Sequence, residues 1–189
     1  EKLQEMDKLK DNFLSTVSHE LRTPLASIKS FAEILLNYED DRETQKEFLN
    51  IINEESDRLT RLLNDFLDIS KIESGHMQWH YTTAQIPEIV DEVVAAIQPL
   101  AAHANLTLTA ESEPDLPPVW VDKDRLSQVI TNLLNNATKF TPEEGKITVK
   151  SGLIKSSSPP AEPDMIKVSV ADTGIGLAPK DQEMVFDKF

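Results

Sequence analysis

The chain has 189 residues, of which 39% are hydrophobic and 28% charged, as is typical of soluble globular domains. A formal net charge of −14 argues against non-specific binding to nucleic acid, which requires a basic face. The absence of cysteine excludes disulfides, thiolate metal sites and thiol nucleophiles. No apolar run approaches the roughly 20 residues that cross a bilayer. The chain starts in helical register without a cap or signal peptide, which predicts a fragment of a longer protein.

Residues 1 to about 74 have a helical hydrophobic period with almost no glycine or proline. Pro24 is expected to kink the first helix, because its nitrogen cannot donate to the carbonyl of Glu20. The polar cluster ending at Asp41 predicts a turn with an N-cap, and Gly75 predicts the end of the second helix. The apolar stripe of the two helices includes Leu3, Met6, Phe13, Val17, Leu21, Ile28, Phe31, Phe48, Ile52, Leu59, Leu62, Phe66 and Ile69.

A helical hairpin over residues 1–76 cannot bury this stripe by itself. Two hairpins can, as a dimeric four-helix bundle. The alternative is that the stripe packs on the rest of the chain. We favour the dimer, because the stripe runs the length of both helices.

The hydrophobic period changes at residue 77, where a second domain over 77–189 is expected. Strands are predicted at 77–83, 106–109, 119–121, 145–154 and 165–171. Helices are predicted at 87–102 and, with Asp122 as its cap, at 122–139. The segment Ser156-Ser157-Ser158-Pro159-Pro160-Ala161-Glu162-Pro163 predicts a surface excursion. The expected fold class is therefore α+β, with a helical hairpin followed by an α/β sandwich of two layers.

His19 is the first candidate for chemistry. A lone histidine on a helix is usually an ordinary surface or core residue, but its neighbours here favour a function. Val17 and Leu21 flank it on the apolar side, which directs the imidazole to solvent, and Thr23 lies one turn further on the same face. Neutral imidazole is a nucleophile near pH 7, and the carboxylate of Glu20 could hold one ring nitrogen protonated. Zinc is excluded, because the second histidine of a metalloprotease helix is absent.

The run His-Glu-Leu-Arg-Thr-Pro-Leu at 19–25 closely resembles the H-box of sensor histidine kinases, and all seven residues match. The resemblance implies that His19 is the phosphoacceptor and that Glu20 acts as the base. It also implies that Thr23 helps to orient water when the protein acts as a phosphatase on its partner.

The predicted helix at 122–139 carries an unusual polar stripe. Asn132 and Asn136 lie one turn apart on one face, and Val129, Leu133 and Leu134 are assigned to its apolar side. Amides are costly to bury without partners, so this pair suggests a polar pocket, and amide oxygens suit Mg²⁺. A solvated, asparagine-rich helix face is the alternative.

A glycine-containing turn, Asp172-Thr173-Gly174-Ile175-Gly176, follows the last predicted strand. Glycine there permits tight turning and close approach of a ligand to the backbone. A plain turn is the default interpretation of a single Gly-x-Gly. Neither a Walker P-loop nor a complete dinucleotide fingerprint is present.

Together, the two segments resemble the N-box and first glycine box of the GHKL ATPases, which include histidine kinases, DNA gyrase and mismatch-repair ATPases. The resemblance implies a sandwich that binds ATP between a helix and a lid. By motif, Asn136 would ligate Mg²⁺, Asn132 and Lys139 would contact the phosphates, and Phe140 would lie against the nucleotide.

The glycine box extends the same resemblance. Asp172 would accept a hydrogen bond from the adenine amino group, and Gly174 and Gly176 would shape the adjoining wall. Phe186 and Phe189 fit the family's Phe-x-x-Phe box, which begins the lid. The second glycine box would follow Phe189, so the ATP-binding domain is expected to lack its C-terminal part.

The resemblance implies ATP-dependent autophosphorylation of His19, with phosphotransfer to an aspartate on a response-regulator receiver domain. It places this chain on the cytoplasmic side, where ATP is, as a homodimer. Two alternatives remain open: a non-catalytic dimerisation and docking module, if the ATP site is incomplete, and a resting activity that is mainly phosphatase.

Overall fold

The computed structural model describes residues 2–37, 41–155, 164–182 and 185, with side chains described from residue 15 onward. Within it the chain divides into two compact units, with the boundary between Gln78 and Trp79. Part of the expected turn before Asp41 (residues 38–40), the expected excursion at 156–163, Phe186 and Phe189 lie outside the described residues. So do the side chains of Leu3, Met6 and Phe13.

The first unit is a hairpin of two long helices, α1 (Lys2–Asn37) and α2 (Arg42–Glu73). The rings of Phe31 and Phe48 pack across it with their centroids 5.2 Å apart. α1 is one helix that continues through Pro24, and Pro24 is fully buried. The predicted helical hairpin is confirmed.

Both predicted caps of α2 are present. The carboxylate of Asp41 accepts hydrogen bonds from the backbone N–H groups of Glu43 and Thr44, each at 2.9 Å. These bonds lower the pKa of Asp41, and the bond from Thr44 has the largest effect. At the other end, Gly75 has a φ of 69°, and the next N–H, that of His76, bonds back to the carbonyl of Lys71 at 2.9 Å. This is a Schellman motif, which glycine allows at little steric cost.

The second unit contains five strands and three helices among its described residues. In chain order they are β1 (Tyr81–Ala84), α3 (Ile86–His103), β2 (Thr107–Ser112), β3 (Val119–Asp122), α4 (Lys123–Phe140), β4 (Lys146–Ile154), β5 (Met165–Asp172) and α5 (Pro179–Gln182). The strand predicted from residue 77 begins only at Tyr81, and the strand predicted to end at residue 109 continues to Ser112.

The strands form two sheets. β2 pairs in parallel with β4, which pairs antiparallel with β5, and β1 pairs antiparallel with β3. Helices α3 and α4 supply one layer and the three-stranded sheet the other, which confirms the predicted α+β class. The buried apolar core of this unit includes Ile86, Ile89, Val90, Val93, Ile97, Leu106, Leu108, Ile130, Leu134, Ile147 and Val149.

Asp122 joins β1 to the start of α4. Its buried carboxylate accepts one hydrogen bond from the backbone N–H of His80 at 2.8 Å and another from Arg125 at 3.2 Å. The bond from His80, followed by that from Arg125, lowers the pKa of this carboxyl group. The predicted cap of α4 is thereby confirmed, and it also fixes where the preceding sheet meets the helix.

Candidate functional site

His19 lies on the exposed face of α1, and Val17 and Leu21 on either side of it are half-buried. The Thr23 hydroxyl donates to the backbone carbonyl of His19 at 3.3 Å, one turn away. The structure therefore places His19 and Thr23 on the same face, with the imidazole accessible to a second molecule.

Glu20 does not share the direction of His19. Successive residues on a helix point about 100° apart, and in this hairpin the Glu20 side chain is directed to the facing helix. Among the described residues, the Glu20 carboxylate pairs with α2: its Oε2 lies 3.7 Å from Nη2 of Arg58. Sequence adjacency suggested a direct carboxylate–imidazole pair, whereas the hairpin offers Glu20 a cation on the facing helix.

An apolar groove of about 160 Å³ runs beside Glu20 between the two helices. The groove is lined by Thr16, Val17, Glu20, Leu21, Leu62, Asp65, Phe66 and Ile69. His19 is not among the residues that line this groove.

The exposed face of α4 differs from the expected one. Val129 and Leu133 are 55% and 42% exposed and share a face with Asn132 and Asn136, which are exposed too. The assignment of Val129 and Leu133 to the packed side is wrong, because the residues that α4 buries are Ile130, Leu134, Ala137 and Thr138. The two amides therefore lie among uncovered apolar side chains, as expected of a wall that a ligand covers.

Lys139 and Phe140 end the same helix. Nζ of Lys139 lies 5.1 Å from the centroid of the Phe140 ring, within the range of a cation–π contact. Both side chains are exposed. A cation and an aromatic ring are thus held together one turn beyond Asn136.

The loop after β5 lies against the C-terminal end of α4. The backbone N–H of Ile175 donates to the carbonyl of Phe140 at 3.3 Å, and that of Gly174 donates to Oδ1 of Asp172 at 2.8 Å. A Cβ at Gly174 would lie 2.6 Å from the Phe140 carbonyl oxygen. Only glycine allows this approach, so the structure brings the predicted loop and the asparagine-bearing helix together.

Gly176 has a different role in the backbone. Its φ is 68°, and nothing lies within 4 Å of the position that a Cβ would occupy. Glycine is needed at position 176 for its positive φ, whereas at position 174 it is needed because a side chain would clash with Phe140.

Thr173 and Gly145 also shape this turn, although no sequence motif marks them. The Thr173 hydroxyl accepts from the backbone N–H of Lys146 at 2.9 Å, and its own N–H donates to the Lys146 carbonyl at 3.1 Å. A Cβ at Gly145 would lie 3.0 Å from that hydroxyl and closer still to Thr141. A threonine within a glycine turn gave no signal of this role, because the bond spans 27 residues.

The described residues contain no group of three or more histidine, cysteine, aspartate or glutamate side chains that could hold a metal ion. The candidate oxygen ligands at α4 are instead the amides of Asn132 and Asn136, which are both exposed. Such a set fits Mg²⁺ carried by a phosphate ligand, since this ion takes few protein ligands and keeps several waters.

Both units match known families. Residues 9–75 match the model of the His kinase A (phospho-acceptor) domain. Residues 121–189 match the model of histidine kinase-, DNA gyrase B- and HSP90-like ATPases.

Three similar proteins cover most of the chain. Drug sensory protein A of Synechocystis sp. is 41% identical over 98% of this chain and 28% of its own length. The structure of histidine kinase ThkA in complex with response regulator protein TrrA superposes with a TM-score of 0.72 at 25% identity, covering 100% of this chain and 55% of that chain. Full-length ShkA in complex with AMPPNP superposes with a TM-score of 0.62 at 26% identity, covering 90% of this chain and 35% of that chain.

A phosphoacceptor-type helical hairpin followed by an ATPase-type domain defines a class of signalling proteins. The chain belongs to the sensor histidine kinases. It spans less than a third of the length of the first curated relatives that it matches. No helix within the described ranges is long and apolar enough to cross a membrane.

Proposed function

We propose that this chain is the kinase core in which His19 takes the γ-phosphoryl group of ATP and passes it to an aspartate of a response-regulator receiver domain. The observation that carries the proposal is the exposed imidazole of His19 within a complete seven-residue H-box on α1. Residues 1–76 would dimerise and carry the phosphoryl group, and residues 77–189 would bind ATP.

In the first step a ring nitrogen of His19 bonds to the γ-phosphorus while the bond from that phosphorus to the β,γ-bridging oxygen breaks, and ADP leaves. The proton on the other ring nitrogen goes to Glu20, which thereby limits the positive charge that attack creates. In the second step the phosphoryl group moves from nitrogen to a carboxylate oxygen of the regulator, and the imidazole is restored.

The nucleotide would lie on the exposed face of α4. Asn132 and Lys139 would contact its phosphates and Phe140 would cover it, as their shared exposure and the cation–π contact suggest. Mg²⁺, held through the amide oxygen of Asn136, would supply positive charge against the phosphate oxygens. Asn136 fits the ion, since it exposes a hard oxygen donor and leaves the other coordination positions to phosphate oxygens and water.

Asp172 would recognise the adenine amino group with its carboxylate. Oδ1 is engaged by the N–H of Gly174, which fixes the carboxylate on the loop and leaves Oδ2 to accept from the base. Gly174 and Gly176 would form the adjoining wall.

The proposed partners are a second copy of the chain and the receiver domain. Exposed apolar side chains along α2, Leu49, Leu63 and Leu67 among them, would meet the second copy in a four-helix bundle. The receiver would dock near His19, and the ThkA complex with its response regulator supports that partner class. We place the protein in the cytoplasm, where ATP and receiver domains are.

Label from γ-phosphate-labelled ATP tests the proposal. We expect acid-labile, base-stable label on the wild type, none on His19→Gln, and a loss of about 100-fold or more for Asn136→Ala, by analogy with other electrostatic groups at phosphoryl transfer sites. His103→Gln is the matched control, because His103 is also exposed but lies at the end of α3. Label that persists on His19→Gln would refute the assignment.

A phosphatase activity on the regulator is a second candidate, favoured by the position of Thr23. Its hydroxyl lies on the face of His19 and donates to that residue's carbonyl. Thr23→Ala should slow dephosphorylation of a phosphorylated receiver while leaving labelling of His19 within about twofold. Thr23→Ser, which keeps the hydroxyl, should retain the activity; equal rates for Thr23→Ala and wild type would rule the role out.

A further inference from the structure

We propose that Arg58 is a positioning residue that holds Glu20 away from His19 in the resting hairpin, with Glu55 as its competing partner. The inference rests on the proposed role of Glu20 as the base for His19. Nη2 of Arg58 lies 3.7 Å from Oε2 of Glu20, and Nη1 lies 3.8 Å from Oε2 of Glu55. One guanidinium on α2 thus serves two carboxylates.

Glu20 and Glu55 depend on the charge of Arg58 to different degrees, because they differ in exposure to water. Glu55 is 26% exposed, and its Oε2 is inaccessible to water without a hydrogen-bond partner among the described residues. Glu20 is 51% exposed and can be solvated when it leaves. A buried carboxylate oxygen is costly without a cation, so Arg58 stays with Glu55 in preference to Glu20. Its other nitrogen contacts Glu20, and this second contact is the one that can be lost.

The contact with Glu20 is loose enough to be exchanged. Its length exceeds hydrogen-bond distance, and exposed ion pairs of this kind shift an equilibrium by about two- to fivefold. Asp65 lines the same groove as Glu20, so a cation there also offsets repulsion between these carboxylates. Glu20 can accept the proton of the His19 imidazole only when it leaves Arg58, so this ion pair lowers the rate at which His19 is phosphorylated.

Opposite effects of two substitutions follow. Arg58→Gln releases Glu20 and should raise the rate of His19 phosphorylation about two- to fivefold. Glu55→Gln removes one of the two carboxylates that contact Arg58, so Arg58 holds Glu20 more often and the rate should fall by a similar factor.

Arg58→Lys keeps the charge and should remain near the wild-type rate. Arg61→Gln is the matched control, since Arg61 donates to the Asp57 carbonyl on the same helix and is exposed.

The rates are measured with saturating phosphoramidate, which transfers its phosphoryl group to an imidazole and releases ammonia without any need for the ATP site. Nitrogen-15 NMR of the imidazole provides a second readout, because a carboxylate that bonds to Nδ1 raises the population of His19 protonated there. We expect this population to rise in Arg58→Gln and to fall in Glu55→Gln.

Slower labelling in both Arg58→Gln and Glu55→Gln would indicate a merely structural role and overturn the proposal, as would unchanged rates together with an unchanged tautomer population. Failure of the proposed function has a different pattern. Label on His19→Gln, or label from phosphoramidate but never from ATP, would refute the acceptor or the kinase reaction, while the tautomer population of His19 would still report whether Arg58 controls the position of Glu20.

Discussion

At the scale of single residues, two glycines of the loop after β5 are required for different reasons. Gly174 lies where a side chain would strike the Phe140 carbonyl and the carboxylate of Asp172, whereas Gly176 lies in open space with a positive φ. Clash with backbone must displace one of the two segments, while a positive φ costs only local strain. The two positions should therefore tolerate a methyl group differently.

We predict that Gly174→Ala lowers ATP affinity about tenfold and destabilises the second unit by about 1–3 kcal/mol, because the loop must move away from the end of α4. Gly176→Ala should cost about 1–2 kcal/mol through backbone strain, with a smaller loss of affinity. Titration with a fluorescent ATP analogue and thermal denaturation measure both effects. Equal affinity for Gly174→Ala and wild type would show that the approach to Phe140 is not needed.

At the scale of elements, Asp122 couples the start of β1 to the start of α4. Hydrogen bonds from His80 and Arg125 favour its charged form and keep its pKa below the ordinary value of 3.8. A lowered folded-state pKa contributes stability that is present above the unfolded value and is lost as the pH falls through the folded one.

Asp122→Asn should accordingly lower the melting temperature at neutral pH and remove this pH-dependent contribution. The difference in melting temperature between wild type and variant should stay constant from pH 7 to about pH 5 and shrink below about pH 4. Asp124→Asn is the control, since Asp124 is exposed in the same helical turn. A difference that is as large at pH 2.5 as at pH 7 would mean that the charge of Asp122 is not involved.

At the scale of the whole molecule, the hairpin leaves apolar side chains of α2 exposed along its length. Leu49, Leu63 and Leu67 recur at spacings that keep them on one side of the helix. An exposed apolar stripe of this kind marks an interface, and a two-fold dimer buries each of its residues twice.

We predict that Leu63→Glu weakens self-association about 10²- to 10⁴-fold, since burial of a leucine contributes about 1.5–3 kcal/mol and two copies lose it. Analytical ultracentrifugation measures the dissociation constant. Asn64→Glu adds the same charge one residue further round the helix and should leave the dimer intact. If Leu63→Glu dimerises like the wild type, the stripe on α2 is not the interface.

The sequence predicted the local elements well, because their signals are local. The caps at Asp41, Gly75 and Asp122, the hairpin and the α+β succession each depend on residues within a few positions of one another. Boundaries that depend on pairing were less accurate: β1 begins at Tyr81, opposite Asp122, because its register is set by β3. The roles of His19, Asn136 and Asp172 remain predictions from motifs that the sequence displays in full.

The sequence by itself determined the seven-residue H-box, the two amides one turn apart and the glycine turn, since each is fixed by spacing along one segment. Tertiary structure decided what surrounds them. It placed Val129 and Leu133 on the uncovered face of α4 and laid Gly174 against Phe140. It also gave Glu20 a partner on the opposite helix rather than the histidine beside it. The physical reason is that partners across helices and strands are chosen by packing and register, which no local pattern encodes.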